Sequence, residues 1–163
     1  MIKTRWTIWL VCVFMLCMPI ISVTHAQTDF ICGVDVSSLT QIESSGGLFY
    51  DENGTHQTDV LAYFQSQGVN TVRLRLWNNP ANGLHNLDYN LALAERIHAL
   101  GMNIFLDFHY SDTWADPAHQ TKPAEWADLS FDELRQAVFD YTSEVMQAFI
   151  AQDTPPAMVQ IGN

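Results

Sequence analysis

Short apolar runs alternate with amphipathic helical segments along this 163-residue chain, and that alternation predicts an α/β fold built on a parallel sheet. Three observations carry the expectation. Four runs read as strands, at 30–38, 70–77, 102–110 and 157–163, with helix-period segments between them. No hairpin signal joins any of the four. Polar or aromatic residues gather at the C-terminal end of each: Asp35 and Ser38, Arg75 and Trp77, His109 and Trp114, and Asn163.

The elements follow in order. Phe30-Ile31-Cys32-Gly33-Val34-Asp35-Val36-Ser37-Ser38 forms the first strand, with Cys32 expected as a small buried hydrophobe. A loop rich in Gly, Ser, Asp and Asn spans 44–55. Thr58 then caps a helix whose apolar stripe is Val60, Leu61 and Phe64, and Gly68 stops it. Thr71-Val72-Arg73-Leu74-Arg75-Leu76 is the second strand. The next helix carries Leu87, Leu91, Ala94, Ile97 and Leu100 at helical spacing, and Gly101 ends it. Asn103-Ile104-Phe105-Leu106 opens the third strand. After a long loop, Ser130 and Glu133 make a capping box for a third helix, which runs to Pro155-Pro156. Ala157-Met158-Val159-Gln160-Ile161-Gly162-Asn163 is the fourth strand.

Two architectures fit a β-α alternation. A doubly wound sheet usually carries a glycine-rich phosphate turn after its first strand, and Val36-Ser37-Ser38-Leu39 is not one. A (β/α)8 barrel puts its chemistry on the loops after the strands, where the polar residues of this chain collect. The expectation is therefore a (β/α)8 TIM barrel with its first four β/α units present. A whole barrel takes about 250 residues.

Composition narrows the class. The chain carries 7 Lys and Arg against 18 Asp and Glu, a formal charge of −11, which argues against nucleic acid or any anionic polymer as partner. Residues 1–26 read as a secretory signal peptide: Lys3 and Arg5 precede an apolar stretch, and Ala26 ends it. Residues 27–163 are the expected mature segment, secreted and with no membrane association after cleavage. Cys12 and Cys17 leave with the leader, so no disulfide pair remains around Cys32.

Asp107 and His109 lie two apart on a strand and share a face. Arg73, Arg75 and Trp77 share a face of the preceding strand, the interior face of a barrel. Two guanidiniums there need carboxylates, and Asp35 and Asp107 are the candidates. For Arg73, a structural ion network and the orienting of a catalytic carboxylate stand as equal readings. Arg75, nearer the strand end, reads as functional. His109 is either bonded to Asp107 or lines a site. Trp114, between Asp112 and Asp116, suits stacking on a sugar ring; Trp77 fits core or site equally. Asp112 and Asp116 also fit as turn caps, Trp126 as packing under the third helix and His119 as a loop residue. A metal site is a rival for Asp107, His109, Asp112 and His119, but no His-x-His or His-Glu-x-x-His spacing is present.

Several motifs together resemble glycoside hydrolase family 53: Gly33-Val34-Asp35-Val36-Ser37-Ser38, Val69 through Trp77, Leu87-Asp88-Tyr89-Asn90-Leu91, Asp107-Phe108-His109-Tyr110-Ser111-Asp112-Thr113-Trp114-Ala115-Asp116-Pro117, and Gln160-Ile161-Gly162-Asn163. The resemblance implies an arabinogalactan endo-β-1,4-galactanase, a retaining glycosidase on a (β/α)8 barrel acting on the galactan of pectin. No cofactor is expected, nor a metal held by the residues of this segment; the resemblance implies β-1,4-galactan as the partner and a monomer at full length. It implies that Asn163 meets the sugar 2-hydroxyl. It places Arg75 and Arg73 near the nucleophile, His109 in the same pocket, and Trp114 and Asp116 beside the groove. The acid/base Glu is expected immediately after Asn163 and the nucleophile Glu further on. On this reading the chain is the N-terminal half of the enzyme, inactive and poorly folded alone. The rivals are a non-catalytic carbohydrate-binding barrel and a metal-dependent hydrolase.

Overall fold

The computed structural model describes residues 30–163. The expected signal segment lies outside the described residues. Among those residues, no helix is long and apolar enough to cross a membrane.

Four parallel strands form the main sheet: β1 (Gly33–Asp35), β4 (Thr71–Leu76), β5 (Asn103–Phe108) and β6 (Met158–Ile161), in the order β1-β4-β5-β6. Each new strand of the sheet joins the same edge as the one before. That monotonic order is the winding of a barrel; a doubly wound sheet reverses direction partway. The helices are α1 (Leu39–Ser44), α2 (Val60–Ser66), α3 (Leu87–Ala99) and α4 (Phe131–Ala151).

The period of two along the strands divides the sheet into two chemically distinct faces. Val72, Leu74 and Leu76 of β4 and Ile104, Leu106 and Phe108 of β5 are buried in one core with the helices, including Leu93 and Ile97 of α3 and Val145 and Phe149 of α4. The opposite face carries Arg73 and Arg75 of β4, Asp107 of β5 and Gln160 of β6. Register sets Asp35 beside Arg73, Arg75 beside Asp107, and Asp107 beside Gln160. Burying the apolar rows under the helices leaves the charged rows together on the far face.

Three local expectations are corrected. β1 has only three residues, and Cys32 lies just before it and is exposed, because β1 is an edge strand. An antiparallel hairpin starts within the 44–55 loop and ends just past it, pairing β2 (Phe49–Tyr50) with β3 (His56–Gln57). Its strands are too short to show a period. Their turn rests on Asp51 Oδ1, which accepts from the N–H of Asn53 and Thr55, and on Gly54 at φ +78°, a conformation that glycine adopts freely. The cap of α2 is Asp59, not Thr58. Its Oδ1 accepts from Leu61 N at 3.1 Å and Ala62 N at 3.3 Å. Asp59→Ala is expected to lower stability by about 1 kcal/mol, read as a shifted urea midpoint with an unchanged slope.

The capping box at α4 is present as expected. Ser130 Oγ accepts from Glu133 N, and Glu133 Oε2 accepts from Ser130 N at 2.9 Å.

Candidate active site

Arg73 is the hub. Its Nη1 donates to Asp35 Oδ2 at 2.7 Å and its Nη2 to Asp107 Oδ2 at 2.6 Å. The Asp107 side chain is completely buried. Although register sets Asp107 level with Arg75, the carboxylate turns to Arg73. Burial would raise the Asp35 carboxyl, but hydrogen bonds from Ser37 Oγ and Ser37 N, and then Arg73, outweigh it and hold it below the ordinary value of 3.8.

His109 continues the network. Its Nδ1 accepts from Trp77 Nε1 at 3.2 Å and from Ala115 N at 3.1 Å. Both partners are donors only, so the proton sits on Nε2, which donates to Asp107 Oδ2 at 3.0 Å. Both ring nitrogens are therefore engaged, which fits holding Asp107 and Trp77 rather than proton transfer.

Asn163 joins the same hub from the end of β6. Its Oδ1 accepts from Arg73 Nη2 at 3.1 Å and Gln160 Nε2 at 3.2 Å, while its Nδ2 donates to Ala115 O at 2.6 Å. With the amide oriented by two donors and an acceptor, one Nδ2 hydrogen is left for a ligand.

Arg75 departs from the expected pairing. Among the described residues it makes no salt bridge to a carboxylate. Its Nη2 donates to His85 Nε2 at 3.1 Å and approaches Ser38 Oγ at 3.4 Å, and its buried Nε has no partner. Its guanidinium carbon lies 5.2 Å from the Trp77 ring centre and 4.7 Å from that of Trp114, within cation–π range of both. Burial lowers the Arg75 pKa, with Asp35 opposing, but a guanidinium keeps its charge in a protein. Trp114 is half-exposed and roofs the arginine.

The loop after β5 is held by its acids. Asp112 joins two segments: Oδ1 accepts from Asn79 N at 2.9 Å and Oδ2 from Ala124 N at 2.8 Å. Asp116 closes its own turn, accepting from Ala118 N, His119 N and the His119 ring. The His119 hydrogen bond, then that from Ala118, lowers the Asp116 carboxyl below its ordinary value. Gln120 Nε2 ties the turn to Asn163 O at 2.9 Å. Trp126 is buried against Tyr141 of α4. Among the described residues, no group of three His, Cys, Asp or Glu side chains comes together as metal ligands would.

The structure thus unites Asp35, Arg73, Asp107, His109, Trp77 and Asn163 in one bonded network, with Arg75 and Trp114 against it. The Asp116 carboxylate stays within its own turn, which meets the network only through Gln120 and Asn163. Two participants escape sequence reasoning. Gln160 could have been found from its period-two alternation with Met158, which sets it on the inner face. His85 gives no local signal in Gly83-Leu84-His85-Asn86; tertiary packing alone brings it to Arg75.

Residues 31–163 match the model of glycosyl hydrolase family 53. The chain belongs to this family. An arabinogalactan endo-β-1,4-galactanase of Thermothelomyces thermophilus is 46% identical over 133 residues, 80% of this chain and 39% of that protein. The endo-β-1,4-galactanase of Bacillus subtilis strain 168 is 41% identical over 143 residues, 83% of this chain and 33% of that protein. The solved family 53 catalytic domain of Ignisphaera aggregans superposes with a TM-score of 0.77 at 42% identity, covering 83% of this chain and 39% of that one. The family 53 chain thus spans well under half the length of these relatives. Solved family 53 galactanases are (β/α)8 barrels, and the four parallel strands described above are the N-terminal part of such a barrel.

Proposed function

We propose that the whole protein is a secreted endo-β-1,4-galactanase that cleaves type I arabinogalactan with retention of configuration. The observation that carries this reading is the Arg73–Asp107–His109 network closing on Asn163 at the strand end, in a family whose named members include galactanases. A retaining glycosidase needs two carboxyl groups about 5–5.5 Å apart. Asp35 and Asp107 do not fit that task. Both are bonded to Arg73, which favours their ionised forms. This segment supplies the support instead: a preorganised amide at Asn163, a cation at Arg75 and an indole at Trp114. The resemblance assigns the acid/base Glu to the position following Asn163 and the nucleophile Glu to a later strand.

Exposed apolar side chains on β6 and α4 support the same reading. Ile161 is 77% exposed, and Phe139 and Ile150 of α4 are also exposed, on surfaces that the next β/α unit of a barrel would cover. The exposed β6 edge and Ile161 also support poor folding of residues 27–163 in isolation.

The test is incubation of the whole protein with β-1,4-galactan. Reducing ends are expected to appear, with the β-anomer of the product first. Galactan binding without cleavage would favour the carbohydrate-binding rival, and loss of cleavage with a chelator the metal-dependent one. Residues 27–163 alone are expected to release no reducing ends above a blank. The secreted form is expected to begin at Gln27 and to elute as a monomer.

A further inference from the structure

His85 stands outside every motif above, yet it lies against Arg75, which among the described residues makes no ion pair with a carboxylate. The histidine is 3% exposed and its φ is +62°, a conformation uncommon for a residue with a Cβ, though histidine adopts it more readily than most. Its surroundings are explicit. His85 O accepts from Trp77 N at 2.8 Å and from Asn90 Nδ2 at 3.0 Å, and the buried Asn90 amide also holds Arg75 O and Asn86 O. The imidazole stands edge-on to Trp77 and to Tyr89. The backbone is thus bonded in place and the ring is held by packing; because a guanidinium only donates, Nε2 faces Arg75 Nη2 as the acceptor, while the buried Nδ1 has no hydrogen-bond partner.

We infer that His85 is a positioning residue that orients the Arg75 guanidinium through a neutral acceptor, so that the cation is fixed beneath Trp114 with its charge uncancelled. The inference rests on the galactanase reading and assigns a role within the same site. Its physical basis is the difference between the two arginines. Arg73 is neutralised by Asp35 and Asp107. A carboxylate in place of His85 would hold Arg75 as firmly, but would cancel its charge. A neutral imidazole supplies the direction and leaves the field. A fixed cation whose charge is not cancelled suits a site where negative charge resides on a carboxylate during the reaction.

The charged surroundings favour the neutral form. Burial, and then Arg75, push the imidazole down to about 4; the Ser37 backbone and Asp35 oppose them, and His109 adds a small push downward. Tyr89 of α3 packs edge-on against the ring. At neutral pH the imidazole is an acceptor toward Arg75. Below pH ~4 it would become a second cation beside the first.

The test compares His85→Gln, His85→Leu and His85→Glu in the whole protein. Gln and Leu bear similar strain at positive φ, so their difference isolates the acceptor. His85→Leu is expected to lower kcat on galactan about 10–100-fold with little change in KM, as misorientation does. His85→Gln is expected to recover most of that loss and to remove one proton from the acidic limb of the kcat/KM profile. His85→Glu is expected to keep Arg75 ordered but remain about tenfold or more impaired, because its charge cancels the cation. Nitrogen-15 spectra give an activity-independent readout: slowly exchanging Arg75 Nη protons, lost in His85→Leu and restored in His85→Gln. Equal kcat in the Gln and Leu variants, or Arg75 protons unchanged in His85→Leu, would overturn the inference. If His85→Leu does not fold, the Gln and Glu variants decide, and a Glu variant as active as wild type overturns it. A wild type inert on galactan but showing the spectral pattern would refute the galactanase reading while upholding the orientation of Arg75 by His85.

Discussion

Arg73→Met is expected to destabilise the protein by about 3–5 kcal/mol, the cost of removing one partner from a buried ion pair. The substitution keeps most of the aliphatic volume and deletes the guanidinium. Asp107, completely buried, then keeps only His109 on Oδ2, since its Oδ1 has no partner. Asn163 and Asp35 lose the same donor. Arg73→Lys should fall between, because a single ammonium cannot span both carboxylates as the fork does. Equilibrium urea unfolding measures the series. A loss below about 1 kcal/mol for Arg73→Met would mean that the network is solvent-screened and weak. There is a pH signature with a definite sign. The Asp35 carboxyl is held below 3.8 in the folded state, so its contribution is present above that value and is lost as pH falls through the lowered pKa. Arg73→Met should reduce that acid-side loss.

Asn163→Ala is expected to lower kcat/KM on galactan about 10²–10³-fold in the whole protein, the scale for deleting one preorganised donor at a reacting centre. The accompanying stability loss should be only about 1–2 kcal/mol, because the amide sits at a strand end and is partly solvated. Asn163→Asp separates the two roles. The carboxylate can still accept from Arg73 and Gln160 but sets an oxygen against Ala115 O, so the stability loss should be similar to that of Asn163→Ala, about 1–2 kcal/mol. It cannot donate as the Nδ2 group does, so activity should stay low. An Asp variant within about tenfold of wild type would show that the position serves architecture and not the sugar. The pair of variants is read by galactan kinetics beside urea unfolding on the same preparations.

Local pattern carried a large part of the fold. The segments around Thr71–Leu76, Leu87–Ala99, Asn103–Phe108 and Phe131–Ala151 were legible because each is long enough to repeat its period and is bounded by a cap or breaker. The β2–β3 hairpin and α1 were not, because elements of two and six residues contain too few repeats for a period to emerge. The exposure of Cys32 was hidden for another reason: an apolar run does not say whether a strand is central or at an edge.

The inner-face row of Arg73, Arg75, Asp107 and His109 follows from sequence alone, since alternation along a strand is fixed by backbone geometry. So does the expectation that the arginines need partners, since burying an unpaired charge is costly. Which carboxylate turns to which arginine was settled only in three dimensions. Asp107 is level with Arg75 by register yet bonds Arg73, because Arg73 can bridge it to Asp35 while His109 presses from the other side. The orientation of Asn163 and the approach of His85 to Arg75 were likewise decided by tertiary structure. Both depend on contacts between residues far apart along the chain or across a loop, where no spacing rule constrains how side chains meet.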